Sequence, residues 1–296
     1  MKKSLLKNKF TPLSLGIYIF LILWSIVFFL LMAWGLMTSF KGSRDFLNHS
    51  VFALPTEWTF DNYTFVFQNY YVRVTTSEGI KKVWLEEMAV NSILYATLKP
   101  LGSLIMSAWV AYLTAKFKYK FSSIVNAAVI SLLIIPIIGT SASTIVLLKK
   151  LGIYGTISSN VLLSFHFIDM NYLIFHAMLA SQPKDFDEAA LIDGAGFFTI
   201  FWHISFPSIA GVFFVFFIRA FMSHWNDYGG PLLFLPAKPT LAYGVYALDN
   251  STLQGFNYVP VKLSTNFMLA VPMIAVFSIF SKKLIMKMNF SLGELK

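Results

Sequence analysis

The chain of 296 residues contains no cysteine, so no disulfide framework, thiolate metal site or thiol nucleophile belongs to it. Charge is scarce as well. Asp, Glu, Lys and Arg make up 12% of the residues and hydrophobic types 57%. Soluble domains carry about 25% charged residues, so an ordinary soluble globular protein is excluded. No G-x-x-x-x-G-K-[ST] sequence occurs, and an ATP-hydrolysing polypeptide of that type is excluded with it. No nucleophile–base pair and no complete set of metal ligands stands out, which gives no catalytic residue, no metal site and no enzyme. No convincing internal repeat is present.

What the chain has instead is apolar length. Thirty-one Phe, seven Trp and 13 Tyr suit lipid-facing and interfacial surfaces. The net charge of +9 rests largely on lysines at the ends of apolar runs, the placement of topology signals rather than of a nucleic-acid footprint. A helix needs about 20 apolar residues to cross the hydrocarbon core. Six runs meet that length: 15–37, 91–112, 124–148, 161–180, 208–225 and 264–284. The first follows Lys2, Lys3, Lys7 and Lys9, but it exceeds the ~7–15 apolar residues of a signal peptide, and no small-residue cleavage site follows it. It is a retained span.

With the N-terminus inside, the short inner segments hold those four lysines, then Lys116, Lys118 and Lys120, then Lys184, then Lys282, Lys283, Lys287 and Lys296. Both termini are then cytoplasmic. The expectation is an all-α membrane protein forming a single transmembrane domain over 1–296. Two outer segments are long. In 41–88 the stretch Tyr71–Trp84 alternates and breaks at Ser77-Glu78-Gly79, which predicts a β-hairpin turning at the glycine. The second is Tyr228–Lys262. Each is either a spacer or a docking surface for an extracytoplasmic partner. Ser107, Ala111 and Ala115 form a small-residue face for close helix approach. Pro136 and Pro272 lie mid-span, where a proline removes a backbone hydrogen bond and bends the helix.

Between the fourth and fifth spans, the inner loop 182–207 is acidic where the other inner segments are basic. Asp185 and Glu188 have the D-x-x-E spacing of a capping box, so a short helix begins at Phe186. Gly194 can adopt the left-handed conformation that ends it. A second short helix spans 197–204 and halts before Pro207, which starts the fifth span. Ala189 and Ala190 have almost no side chain, so a partner can approach the backbone. Asp185, Asp187, Glu188 and Asp193 can pair with a partner's basic residues.

The spacing E-A-A-x3-G-x9-I-x-x-P, from Glu188 to Pro207, resembles the cytoplasmic signature of permease subunits of bacterial ATP-binding-cassette importers. Asp61-Asn62-Tyr63, Asn91-Ser92, Trp225-Asn226-Asp227, Pro272 and the tail Gly293-Glu294-Leu295-Lys296 resemble the maltose-transporter type of sugar permease, the smaller six-span partner of a heterodimer. Phe206 replaces the usual leucine, and the first outer loop is enlarged. The resemblance implies the type I importer fold in a bacterial inner membrane, with the 182–207 loop as a coupling helix seated in a cleft of an ATPase subunit. Glu188 would contact a basic residue there and Gly194 would permit the bend. The implied partners are a second permease, an ATPase dimer, an extracytoplasmic solute-binding protein and a sugar. No cofactor belongs to this chain; ATP and magnesium belong to the ATPase.

Lys99, His166, Asp169, His176 and Arg219 sit in or near apolar runs. Lys, Arg and Asp at membrane depth cost about 2.5–3.5 kcal/mol or more, so such groups face the protein interior or a watery path. Asp169 can pair with Lys99 or with Arg219. His166 and Asp169 are spaced as metal ligands but lack a third. Hydroxyl-rich ligands want amides, carboxylates and an aromatic face, which makes Asn91, Asp169, Asn171, Trp225 and Asn226 the candidates for a sugar path. The alternative function is an ion-coupled secondary transporter with Asp169 and Lys99 as its relay.

Overall fold

The computed structural model describes residues 12–76, 79–117, 119–135, 139–249 and 253–293. Lys2, Lys3, Lys7, Lys9, Lys118, Lys296, the Ser77-Glu78 part of the hairpin turn, the Pro136 kink and residues 294–296 lie outside the described residues. Contacts divide the chain into two units, Met1–Asn69 with Ser251–Met268, and Tyr70–Asn250 with Leu269–Lys296.

In the first unit, the leading apolar run folds as α1 (Pro12–Ser39), whose apolar stretch lies almost wholly exposed. Near its C-terminal end, α1 passes Phe267 at Gly35, where an added Cβ would make ordinary contact with the ring at 3.6 Å. The short α2 (Ser43–Asn48) and α3 (Asp61–Asn69) follow. Asp61-Asn62-Tyr63 has a local structural use. The Asn62 amide donates to the carbonyls of Ser39 (2.8 Å) and Lys41 (2.7 Å), satisfying acceptors that the end of a helix leaves open. Tyr63 hydrogen-bonds the Ser39 hydroxyl at 2.6 Å. Lys41, an outer-loop positive charge by sequence, is buried, and its ammonium donates to the Val51 carbonyl. The Thr56 backbone N–H, 3.1 Å from Asp45, holds that carboxyl below the usual carboxylate range.

The second unit opens with the hairpin that the alternation predicts. β1 (Tyr71–Thr76) pairs antiparallel with β2 (Gly79–Trp84), in register from Tyr71 opposite Trp84 to Thr76 opposite Gly79. Among the described residues every other regular element is a helix. β2 runs directly into α4 (Leu85–Lys116), about 48 Å at 1.5 Å per residue, with Glu86 and Glu87 in its first turn and Lys116 in its last. Pro100 lies inside it.

The third and fourth runs are not single helices. The third consists of α5 (Lys120–Ile134) and α6 (Thr140–Lys150), the latter entered from Gly139 at φ +84°. The fourth consists of α7 (Ile157–Ser164) and α8 (Met170–Ala180), with Asp169 as the N-cap of α8. Hydropathy counts apolar residues and is blind to a left-handed glycine or a cap, which is why both runs read as continuous.

The acidic loop 182–207 forms α9 (Asp185–Ile192) and α10 (Phe197–Ile200). A π-helical turn (Phe201–Ser205) then leads into α11 (Phe206–Trp225). Beyond lie α12 (Gly229–Phe234), α13 (Leu241–Asp249) and α14 (Val259–Gly293), the last helical through Pro272. Among the described residues, three helical stretches are long and apolar enough to cross a membrane: Pro12–Ser39, Leu85–Lys116 and Phe197–Trp225. Lys120–Ile134, Met170–Ala180 and Val259–Ala275 are shorter apolar helices.

In the second unit α4 is the central element, packed against α5, α7, α8, α11 and α13. The small-residue face does what its composition suggests: Ser107 and Ala111 are fully buried, and Ala115 packs against the same core. Gly102 is a further close approach, since an added Cβ would fall 2.4 Å from the Ser164 hydroxyl. The stretch 239–244 is bonded into this unit. Asn91 donates to the Pro239 carbonyl (3.1 Å), and Ser92 accepts the Leu241 N–H (2.7 Å). The Tyr70 hydroxyl donates to the Gly244 carbonyl.

Candidate functional site: the acidic inner loop

α9 does not use the predicted capping box. It begins at Asp185, one residue early, with Lys184 at the N-cap and no side-chain cap bond; the Lys184 carbonyl accepts the Glu188 N–H at 2.9 Å. Asp185 therefore occupies the first turn, where its charge complements the helix dipole without bonding a backbone N–H. The C-terminus follows the prediction. Gly194 has φ +82°, the Ala195 N–H bonds the Ala190 carbonyl (2.9 Å), and the Gly194 N–H bonds the Leu191 carbonyl (3.1 Å). That pair of bonds is a Schellman motif.

An added Cβ at Gly194 would meet nothing within 4 Å, so only conformation resists a side chain there. Gly194→Val is expected to cost about 1–2 kcal/mol locally, whereas Gly194→Asn should cost far less because Asn visits the left-handed region. Amide exchange across 189–195 checks this: equal protection in both variants would mean that the turn has another determinant.

Residues 197–225 form one continuous helical run, so the second loop helix is not halted before Pro207. The π-helical turn explains how. Pro207 lacks an N–H and its ring would clash with the preceding turn of a regular α-helix. Widening that turn, with the Phe206 N–H bonded five residues back to Phe201, accommodates the ring.

The two faces of α9 differ. Asp187 and Ala190 turn inward: Ala190 packs against the core, and Asp187 forms an ion pair with Lys116 at 2.8 Å. Asp185, Phe186, Glu188, Ala189, Ile192 and Asp193 are exposed, Phe186 at 65% and Ile192 at 86%. No ion pair engages Glu188 among the described residues. Beside the ion pair lies a cleft of about 190 Å³, lined by Tyr112, Lys116, Lys184, Asp187, Glu188 and Ile200. The outer face of α9 is thus a small surface of exposed acidic and apolar side chains around Ala189. Asp187 belongs with the internal contacts, not with the exposed acids. The Lys116–Asp187 pair is invisible to local pattern because its members are far apart in the chain.

Each of the five candidates for a sugar path has a hydrogen-bond partner within the chain. The Asn91 amide is used on Pro239, and the buried Trp225 donates its indole N–H to the Leu269 carbonyl at 3.3 Å. Asn226 is exposed and bonds the Met222 carbonyl at the end of α11. Asp169 and Asn171 do meet, at 3.0 Å. Asp169 pairs with neither Lys99 nor Arg219. Its carboxylate accepts Ser103 (3.3 Å), both of its oxygens lie 3.1 Å from the Ser107 hydroxyl, and it accepts the Tyr172 N–H (2.8 Å). Lys99 instead donates to the Tyr95 hydroxyl (2.9 Å), which donates to Asp227 (2.8 Å). His176 bonds the Asn126 amide at 3.1 Å. Among the described residues no group of three or more His, Cys, Asp or Glu could hold a metal ion.

Residues 7–288 match a family described as binding-protein-dependent transport system inner membrane component. Three curated relatives are similar over most of their length. The diacetylchitobiose uptake system permease protein NgcG of Streptomyces coelicolor is 26% identical, over 89% of this chain and 83% of that protein. The galactooligosaccharides transport system permease protein GanQ of Bacillus subtilis is 24% identical, over 90% and 91%. The melibiose/raffinose/stachyose import permease protein MelC of Bacillus subtilis is 24% identical, over 83% and 84%. The fold matches a chain in the crystal structure of a bacterial ABC transporter involved in the import of the acidic polysaccharide alginate. The TM-score is 0.72 at 18% identity, covering 92% of this chain and 98% of that one.

Proposed function

The chain belongs to the binding-protein-dependent transport system inner membrane components, and from that premise we propose that it is one permease half of an ATP-driven sugar or oligosaccharide importer. The observation that carries the reading is the outward face of α9: exposed acids beside the exposed Ala189 on a short helix closed by a left-handed glycine, within a family whose transport depends on a binding protein. The relatives named above take up di- and oligosaccharides, which supports a sugar as the cargo.

In this reading the chain crosses the membrane six times, with both termini cytoplasmic. α5 with α6 and α7 with α8 supply the third and fourth crossings, and non-helical backbone between paired helices is tolerated where protein covers it. α9 seats in a cleft of an ATPase subunit. A second permease completes the pathway, and a solute-binding protein delivers sugar from outside. ATP and magnesium act on the ATPase dimer. Its closure shifts the permease pair between inward- and outward-facing states, each stabilised by its own contacts. An ion-coupled secondary transporter is not favoured: the family uses a binding protein, and Asp169 and Lys99 are separately engaged.

Mild-detergent purification of the chain from its native cell, with mass spectrometry and an ATPase assay, tests the proposal. A second permease and an ATPase should accompany it, with hydrolysis stimulated by a sugar-loaded binding protein. Recovery of the chain alone, transporting without ATP, would overturn it.

A further inference from the structure

The inner face of α9 is attached to the structure above it at few points. Lys116 stands in the last turn of α4 and Asp187 in the first turn of α9, 2.8 Å apart, with side chains only 5% and 13% exposed. Each charge also suits its own helix end, the cation at a C-terminus and the anion at an N-terminus. A shielded pair of this kind resists solvent screening far better than an exposed one. One turn earlier on α4, the Tyr112 hydroxyl donates to the Phe197 carbonyl at 3.2 Å, and the Phe117 and Phe197 rings meet edge-on at 4.8 Å. The C-terminal end of α4 therefore holds both short loop helices. Tyr112 and Phe117 grip α10, and among the described residues only Lys116 contributes an ion pair to α9. The same α4 carries the buried contacts to α7, α8 and α11.

We propose that Lys116 and Asp187 are positioning residues that fasten α9 to α4, so that a displacement of α9 by the ATPase moves α4 and the helices packed on it. Asp187 acts through Lys116 rather than on the partner, while Glu188, Asp185 and Ala189 present the partner-facing surface. The inference rests on the importer reading for the source of the displacement. The fastening itself is a property of this chain alone.

The test uses the assembled transporter carrying Lys116→Met or Asp187→Asn, together with the exchanged pair Lys116→Asp with Asp187→Lys. In both single variants the ATPase should still co-purify, because the outer face of α9 is intact. Sugar taken up per ATP hydrolysed should fall about tenfold, a change of the size typical of coupling between two sites. Amide exchange over 185–192 should quicken while that of α11 stays constant. The exchanged pair should recover part of both readouts, short of wild type because each charge then opposes its helix dipole. Wild-type coupling and exchange in the single variants would overturn the proposal. So would loss of the ATPase with unchanged exchange over α9, which would make Asp187 a partner contact. If the unaltered chain brings down no ATPase, the importer reading fails and force transmission with it, while the exchange comparison still reports whether the pair holds α9.

Discussion

Glu188→Lys is expected to abolish coupled transport while leaving the chain inserted and folded. Glu188 is exposed on α9 and makes no ion pair among the described residues, so its loss removes nothing that holds this chain together. The substitution acts on the partner. A cleft arranged to receive an anion beside Ala189 would meet a cation, and like charges brought together at an interface cost several kcal/mol, more than about a hundredfold in affinity. The ATPase should be lost on purification and uptake should fall to background, with an unchanged size-exclusion profile. Glu188→Gln, which removes attraction without adding repulsion, should retain part of both. Retention of the ATPase and of uptake by Glu188→Lys would remove Glu188 from the docking surface. Asp185, also exposed, would then be the acid to exchange next.

The prediction at Glu188 could be made from sequence because the features behind it are local. A left-handed turn at Gly194 follows from the one residue type that adopts it freely, and exposed acids between apolar runs mark a surface outside the membrane. Long helices were legible to the extent that apolar length alone defines one, as for α1, α4 and the run through α11. Where a few residues override composition, length misled. Gly139 and Asp169 divide the third and fourth runs, and each acts through backbone geometry or a hydrogen bond that hydropathy does not register. Asp185 failed as a cap because D-x-x-E is compatible with a helix starting one residue sooner. The expected stop before Pro207 failed because a π-helical turn relieves the clash that normally ends a helix there. Lys116–Asp187 and Tyr95–Asp227 are products of tertiary packing and had no signal at all.

The division of the fourth run also decides what Asp169 does. Its carboxylate gathers Ser103 and Ser107 from α4, Asn171, and the Tyr172 N–H of α8, so it is both the cap of a broken span and a bond between two packed helices. Asp169→Ala should therefore destabilise the fold before it alters any sugar contact. Loss of the cap costs about 0.5–2 kcal/mol. Stranding partly buried donors costs about 1–3 kcal/mol more. The expected result is a clear fall in the thermal midpoint of the detergent-purified chain, in proportion with a fall in transport. Asp169→Asn, which keeps an oxygen for the Tyr172 N–H, should lie between the two. A different result would reassign the residue: an unchanged midpoint with an altered preference among sugars would place Asp169 on the translocation path, with its bonds to α4 as the means of aiming it there.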